Sequence, residues 1–244
     1  MEIVATSDLH GFLPEIIKEF DLMLIAGDVS PAHDHYCLFQ KEWTENEFVE
    51  WINELPYANP WSKVILVPGN HDFFLERATR EEYFALERAC GGRLKILRHD
   101  IYDFEFPVSD GIDSLKIFGT PYCSIFGRWA FMVNDETLDR KFSQIPEGID
   151  VLVSHDSPTT NKLGAITEGP WKDETTGNKI LAEHIERIKP KLFISGHFHT
   201  GNHVFEKIGE TWMANVSYVD ESYYPNFGPI YIPYDEETRT FFPE

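Results

Sequence analysis

The sequence predicts an α/β protein in which two β-sheets pack as a sandwich and helices flank them. Short apolar runs recur along the chain, each closed by small or polar residues, and helical patterns lie between several of them. Nothing in the 244 residues reads as a repeat, a low-complexity tract or a linker, so the expectation is one domain, residues 1–244. That length suits a single large α/β unit, which routinely reaches roughly 200–250 residues.

Residues 3–6, 22–26, 64–67, 151–153 and 192–194 are short and apolar, the pattern of strands buried on both faces. Helical patterns cover 45–55, 80–90 and 179–188, the last followed by Pro190, which cannot continue a helix. Residues 94–97, 101–106 and 115–118 follow one another without an intervening helix. With Asp110 and Gly111 as turn material, they predict a local antiparallel meander. The tail over 203–232 favours strands again, with Gly209 as a turn and Pro225, Pro229 and Pro233 limiting regular pairing.

Hydrophobic residues make up 42% and charged residues 25%, enough apolar material for a real core. The net charge is -20, with 21 Lys and Arg against 41 Asp and Glu. A chain that tracks a nucleic-acid backbone presents a basic face, so extended nucleic acid is disfavoured as a partner. Small phosphate-bearing substrates are not excluded, because bound divalent cations invert the local electrostatics. The cysteines, Cys37, Cys90 and Cys123, are odd in number and widely spaced, which indicates neither a disulfide framework nor a zinc knuckle. The first apolar run begins almost at Met1 and no run approaches the roughly 18 residues of a membrane span, so the expected location is cytoplasmic, away from membranes.

Five short motifs sit where apolar runs end: Ser7-Asp8-Leu9-His10, Gly27-Asp28, Gly69-Asn70-His71-Asp72, Ser154-His155 and Gly196-His197-Phe198-His199. Strands of an open α/β sheet deliver such groups to one edge, where ligands bind. Imidazoles and carboxylates suit divalent Mn, Fe or Zn. Asp28, with Gly27 leaving space beside it, is the candidate bridge between two ions. Asp8 and His10 share a face of an extended segment, as do His197 and His199. Asn70 can offer an amide oxygen where total negative charge must stay low enough to admit a phosphate. Each motif alone reads more readily as a turn or a surface group; the ordered set of five carries the functional reading.

That ordered pattern (D-x-H, G-D, G-N-H-[DE], a single His, G-H-x-H) resembles the calcineurin-like metallophosphoesterase superfamily over essentially the whole chain. The resemblance implies a four-layer α/β/β/α sandwich and a dinuclear metal centre, with manganese the first choice of ion. It assigns Asp8, His10, Asp28 and His199 to one ion, and Asp28, Asn70, His155 and His197 to the other. His71 becomes the non-ligand catalytic histidine, and a metal-bridging hydroxide the nucleophile. Pro68 makes the third motif similar to the P-G-N-H-D of phosphodiesterase-type members and unlike protein Ser/Thr phosphatases.

Residues 53–56, 117–131, 145–150 and 187–192 are further similar to the metallophosphoesterase-domain (MPPED) subfamily. That likeness implies a phosphodiesterase acting on small diesters such as cyclic nucleotides. The chain departs from it at His155-Asp156-Ser157-Pro158, where the subfamily tends to read H-G-P-P. Two other readings share the motifs: a nucleotide-binding regulatory protein with little catalysis, and a nuclease, which the acidic balance disfavours.

Around the site, Tyr122, Arg128, Trp129 and Phe131 offer a stacking wall and a guanidinium for substrate, with core packing the favoured reading. Asp72 either orients His71 or shapes the turn. His33, His35 and His203 read as surface residues.

Overall fold

The computed structural model describes residues 1–160, 163, 176–200 and 203–242. The first half holds β1 (Glu2–Thr6), β2 (Leu22–Ile25), α1 (Cys37–Trp43), a π-helical turn (Thr44–Phe48), α2 (Val49–Glu54), β3 (Lys63–Leu66), α3 (Phe73–Arg77), α4 (Arg80–Ala89) and β4 (Leu94–Ile96). Then come β5 (Asp100–Val108), β6 (Gly111–Thr120), β7 (Cys123–Ser124), β8 (Met132–Val133), α5 (Asp135–Phe142) and β9 (Val151–Ser154). The chain continues through α6 (Lys179–Ile188), β10 (Leu192–Ser195), β11 (Phe205–Ile208), β12 (Thr211–Asn215), β13 (Ile230–Asp235) and β14 (Thr240–Phe241).

One sheet has the order β14-β13-β1-β2-β3-β4, the other β11-β12-β10-β9-β6-β5. The strands β1 to β4 run parallel, as do β6, β9, β10 and β12; β13, β5 and β11 are antiparallel additions. The alternation of side chains along a strand sorts residues into layers. Ile3, Ala5, Leu22, Leu24 and Ile65 meet Leu115, Ile117, Val151, Val153, Leu192 and Ile194 between the sheets. Val4, Met23, Ile25, Val64 and Leu66 point the other way and bury Phe48, Ile52, Leu75 and Leu86 of the first-half helices. Leu152 and Phe193 likewise cover Leu138 and Phe142 of α5 and Leu181 and Ile185 of α6. The result is the helix–sheet–sheet–helix layering that the sequence predicts.

Local chemistry sets the helix ends. Thr79 and Glu82 form a reciprocal capping box on α4, Asn134 caps α5 and Asn178 caps α6. The helix α6 stops at Lys189, whose left-handed φ of 50° precedes Pro190.

Two expectations need correction. Residues 94–97 do not open a meander: β4 pairs parallel with β3, because α4 returns the chain to the same edge and completes a crossover unit. Only β5 and β6 form the antiparallel hairpin, turning at Ser109 and Asp110. The helical stretch over 45–55 begins earlier, at Cys37, and passes through the π turn. Among the described residues no helix is long and apolar enough to cross a membrane.

Candidate metal centre

The strands β1, β2, β3, β9 and β10 all end at one edge of the sandwich, and the residues just past each end are the sequence motifs. Short backbone links lock these ends together. Asp8 N donates to Gly27 O (2.9 Å), His10 N to Asp28 O (2.9 Å), His155 N to Thr120 O (3.1 Å) and Gly196 N to His155 O (3.2 Å). The turns are tight enough that Asp8, His10, Asp28 and His197 adopt positive φ values of 52°, 45°, 53° and 71°. Non-glycine residues avoid that region, and its concentration here marks backbone strain held by the surroundings, as at functional sites.

Two groups of side chains converge. In the first, the ligand atoms of Asp8, His10 and His199 lie within 4.8 Å of one another; in the second, those of Asp8, Asp28 and His155 do. Asp28 Oδ2 stands 3.4 Å from His155 Nε2 and 3.8 Å from His10 Nε2, between the two groups. Asn70 Oδ1 lies 2.8 Å from His155 Nε2, and the His197 ring centroid 5.0 Å from that of His155. Asp8, His10, Asp28, Asn70 and His155 are all buried. The residues singled out in the sequence therefore come together, with Asp8 adjoining both groups and His197 more peripheral.

Hydrogen bonds around the cluster fix which atoms face inward. His155 Nδ1 donates to Ala26 O (2.8 Å) and His199 Nδ1 to Asp220 O (3.1 Å). A carbonyl oxygen only accepts, so both rings carry a proton on Nδ1 and aim Nε2 at the carboxylates, the outer-shell arrangement of metal-binding histidines. Asp8 Oδ2 accepts from the Ser7 and Ser217 hydroxyls, each at 2.7 Å, and from His197 N (3.0 Å). Asp28 Oδ1 accepts from His71 N (2.7 Å), which leaves Oδ2 facing the imidazoles. His199 Nε2 and His10 Nε2 confront each other at 3.4 Å, with Asp8 Oδ1 3.3 Å from the former.

Burial opposes ionisation of Asp8 and Asp28, yet the facing imidazoles hold both carboxyls below the usual range. Burial also opposes charge on His155, but Asp28 beside it raises the imidazole to about 10. Burial pushes His10 and His197 down to about 3 and lowers His71. Nitrogen and oxygen donors turned inward in this way fit Mn, Fe or Zn.

A cavity of about 720 Å³ opens over Asp28, Asn70, His71, His197 and His199. Its outer wall includes Phe126, Trp129 and Tyr223, and its floor Ser124, Asp156 and Asn178. The Trp129 ring lies over His71, with centroids 4.4 Å apart. Tyr122 is elsewhere: it packs against His99 and Phe131, with Lys141 Nζ 3.6 Å over its ring. Phe131 is buried core, and Arg128 is not among the residues lining the cavity.

Asp72 does not touch the His71 ring. Its Oδ2 accepts from Gly69 N (2.7 Å) and its Oδ1 from Ser30 N (2.9 Å), so it ties the loop after β2 to the loop after β3. Burial raises its carboxyl to about 6.

Two features escaped sequence reasoning. His35 Nε2 lies 3.0 Å from His71 Nδ1, so His35 belongs with the site, not to the surface. Asp156, whose carboxyl burial raises to about 6, accepts from Asn178 Nδ2 (2.8 Å) and Ser124 N (3.3 Å), which gathers three segments of the cavity floor. The signal for Asp156 was its odd place beside His155; nothing in the spacing of His35 revealed its partner. Of the other two surface readings, His33 is exposed, whereas His203 stacks on Phe227 (3.6 Å) and bonds His199 O (3.0 Å).

Comparison with known proteins agrees with this fold. The human and mouse metallophosphoesterase domain-containing protein 1 are each 28% identical over 246 residues, covering 94% of this chain and 69% of theirs. Among solved structures, TT1561 of Thermus thermophilus superposes with a TM-score of 0.51 at 12% identity, covering 88% of each chain. The phosphopantetheinyl hydrolase PptH of Mycobacterium tuberculosis does so with a TM-score of 0.50 at 14% identity, covering 91% of this chain and 90% of its own. These likenesses support the fold. The sequence model of the calcineurin-like phosphoesterase family matches residues 1–201, most of the polypeptide, and the chain belongs to that metal-dependent family.

Proposed function

We propose that the protein is a dinuclear-metal-dependent phosphodiesterase acting on small diesters, cyclic nucleotides among them. The observation that carries this reading is the pair of committed imidazoles, His155 and His199, whose Nε2 atoms face Asp28 and Asp8 in adjoining groups. Asp8, His10, Asp28 and His199 would hold one ion, and Asp28, Asn70, His155 and His197 the other, with manganese the first ion to test. When bound, such ions supply an activated water and Lewis acidity toward the phosphoryl oxygens.

The chain's own residues supply the rest. The His71 N–H on Asp28, and the Ser7 and Ser217 hydroxyls on Asp8, keep the carboxylates from turning away as substrate arrives. His71, on the cavity wall beside His10, is placed to donate a hydrogen bond to the leaving oxygen as charge develops there.

A diester is favoured over a monoester for two reasons. The aromatic wall of Phe126, Trp129 and Tyr223 seats a second ester substituent. Among the described residues that line the cavity there is no Lys or Arg to neutralise the second charge of a monoester. The test is hydrolysis of bis(p-nitrophenyl) phosphate against p-nitrophenyl phosphate with manganese, iron or zinc. The expected result is metal-dependent turnover, faster on the diester and lost in Asp28→Asn. Absence of turnover with every metal would overturn the proposal.

A further inference from the structure

The loop from Asp28 to Tyr36 brings His35 back over the site, and the start of α1 pins it there. Gln40 Nε2 donates to the His71 carbonyl (2.8 Å) while its Oε1 accepts from Phe74 N (3.0 Å), so α1 is bolted to the segment that carries His71. Asp34 Oδ1 accepts from Tyr36 N (2.8 Å) and closes the turn around His35. Within this frame His35 Nε2 meets His71 Nδ1 at 3.0 Å. Aromatic rings enclose the pair: Trp129 stands edge-on to His35 at 5.1 Å and over His71, and Phe73 lies 5.5 Å from His35. His33, two residues earlier, is exposed and reaches only Phe39 among the described rings, so proximity in sequence does not account for the pairing.

Resting on the phosphodiesterase reading above, we propose that His35 is a positioning residue for His71: its Nε2–H donates to His71 Nδ1, which places the His71 proton on Nε2, toward the leaving oxygen. A neutral imidazole has one N–H. For that N–H to face the cavity, Nδ1 must be the acceptor, and His35 is the group that holds it so. Among the described residues, His35 itself belongs neither to the carboxylate cluster nor to the cavity lining. The residue following the strand supplies the donor to substrate, while a residue from a different loop sets its tautomer and its ring angle.

The test uses the manganese-loaded protein and two diesters that differ only in the leaving group, methyl p-nitrophenyl phosphate and methyl phenyl phosphate. A donor to the leaving oxygen matters more for the poorer leaving group. His35→Ala is expected to lower kcat on the phenyl ester ~10–100-fold and on the nitrophenyl ester by less than ~10-fold, with KM little changed. His35→Gln, whose amide reaches the same point with an N–H, should recover most of the loss. The His35→Ala/His71→Ala double variant should be no slower than His71→Ala alone. Equal losses on the two esters, no loss at all, a Gln variant as slow as the Ala variant, or additive losses in the double variant would each overturn the role of His35 while leaving the phosphodiesterase reading intact. A wild-type protein inactive on both esters would instead overturn both.

Discussion

His155 Nδ1 donates across 2.8 Å to the carbonyl of Ala26, so an imidazole carried by one sheet is oriented by the backbone of the other. This bond, with the Asp28 carboxylate 3.4 Å from His155 Nε2, links the two sheets at the site. Gly27 leaves the space for the approach: a Cβ there would collide with His155 Nδ1 and the Gly69 backbone, and its φ is +102°.

Gly27→Ala should therefore separate the sheets at this edge. The expected cost is about 1–3 kcal/mol of stability from overpacking, together with lost metal uptake. Urea unfolding and metal analysis of the same preparation check both outcomes.

Metal removal should be visible in stability as well as in turnover. An ion that binds only the folded chain stabilises it by about 2.7 kcal/mol at a hundredfold excess over Kd. Added manganese should raise Tm of the chelator-treated wild type, and Asp28→Asn should abolish the shift. A full shift in the variant would remove Asp28 from the binding set.

Asp72→Ala should unfold more readily than any change at the cavity rim. The residue is wholly buried, and its removal strands the Gly69 and Ser30 N–H groups, each costing about 1–3 kcal/mol. Asp72→Asn keeps one acceptor oxygen and should lose less. Equilibrium denaturation of the two variants gives the comparison.

His99 should make stability fall in mild acid. Its Nδ1 meets Thr120 Oγ1 (3.0 Å) and its Nε2 the Lys141 carbonyl (3.0 Å); burial, then the Lys141 charge, lowers its pKa from 6.5 to about 4. Between those values the unfolded chain binds a proton that the native chain lacks. This contribution is therefore intact above pH 6.5 and is lost as pH falls toward 4. His99→Gln should flatten that part of the unfolding midpoint plotted against pH.

Tyr122→Ala should leave KM for a diester unchanged, because the ring packs on His99, Phe131 and Lys141 instead of lining the cavity. The loss should appear as stability, about 2 kcal/mol for a half-buried aromatic. Steady-state kinetics set beside thermal unfolding separates the two. The same pair of measurements on Trp129→Ala should give the reverse pattern, a raised KM, since Trp129 covers His71.

The strand ends were legible because apolar runs closed by Asp, Asn and His are a local signal, and each such end needs only its own residues to form. The identities of Asp8, His10, Asp28, Asn70, His71, His155, His197 and His199 as one cluster followed from their order along the chain. The reading of the sequence misplaced β4, since a three-residue strand carries no mark of which neighbour it joins, and it overlooked α5, a short helix that buries only Leu138 and Phe142.

Sequence alone determined the layered fold and which side chains gather at its edge, because burial periodicity and strand-end chemistry are written residue by residue. Only the tertiary structure decided that His35 joins His71, that Asp72 holds loops and not the imidazole, and that Tyr122 belongs to the core while Trp129 faces the cavity. Those outcomes turn on a few ångströms between segments far apart in the chain, set by how the two sheets and their helices close on each other, and no local pattern encodes that distance.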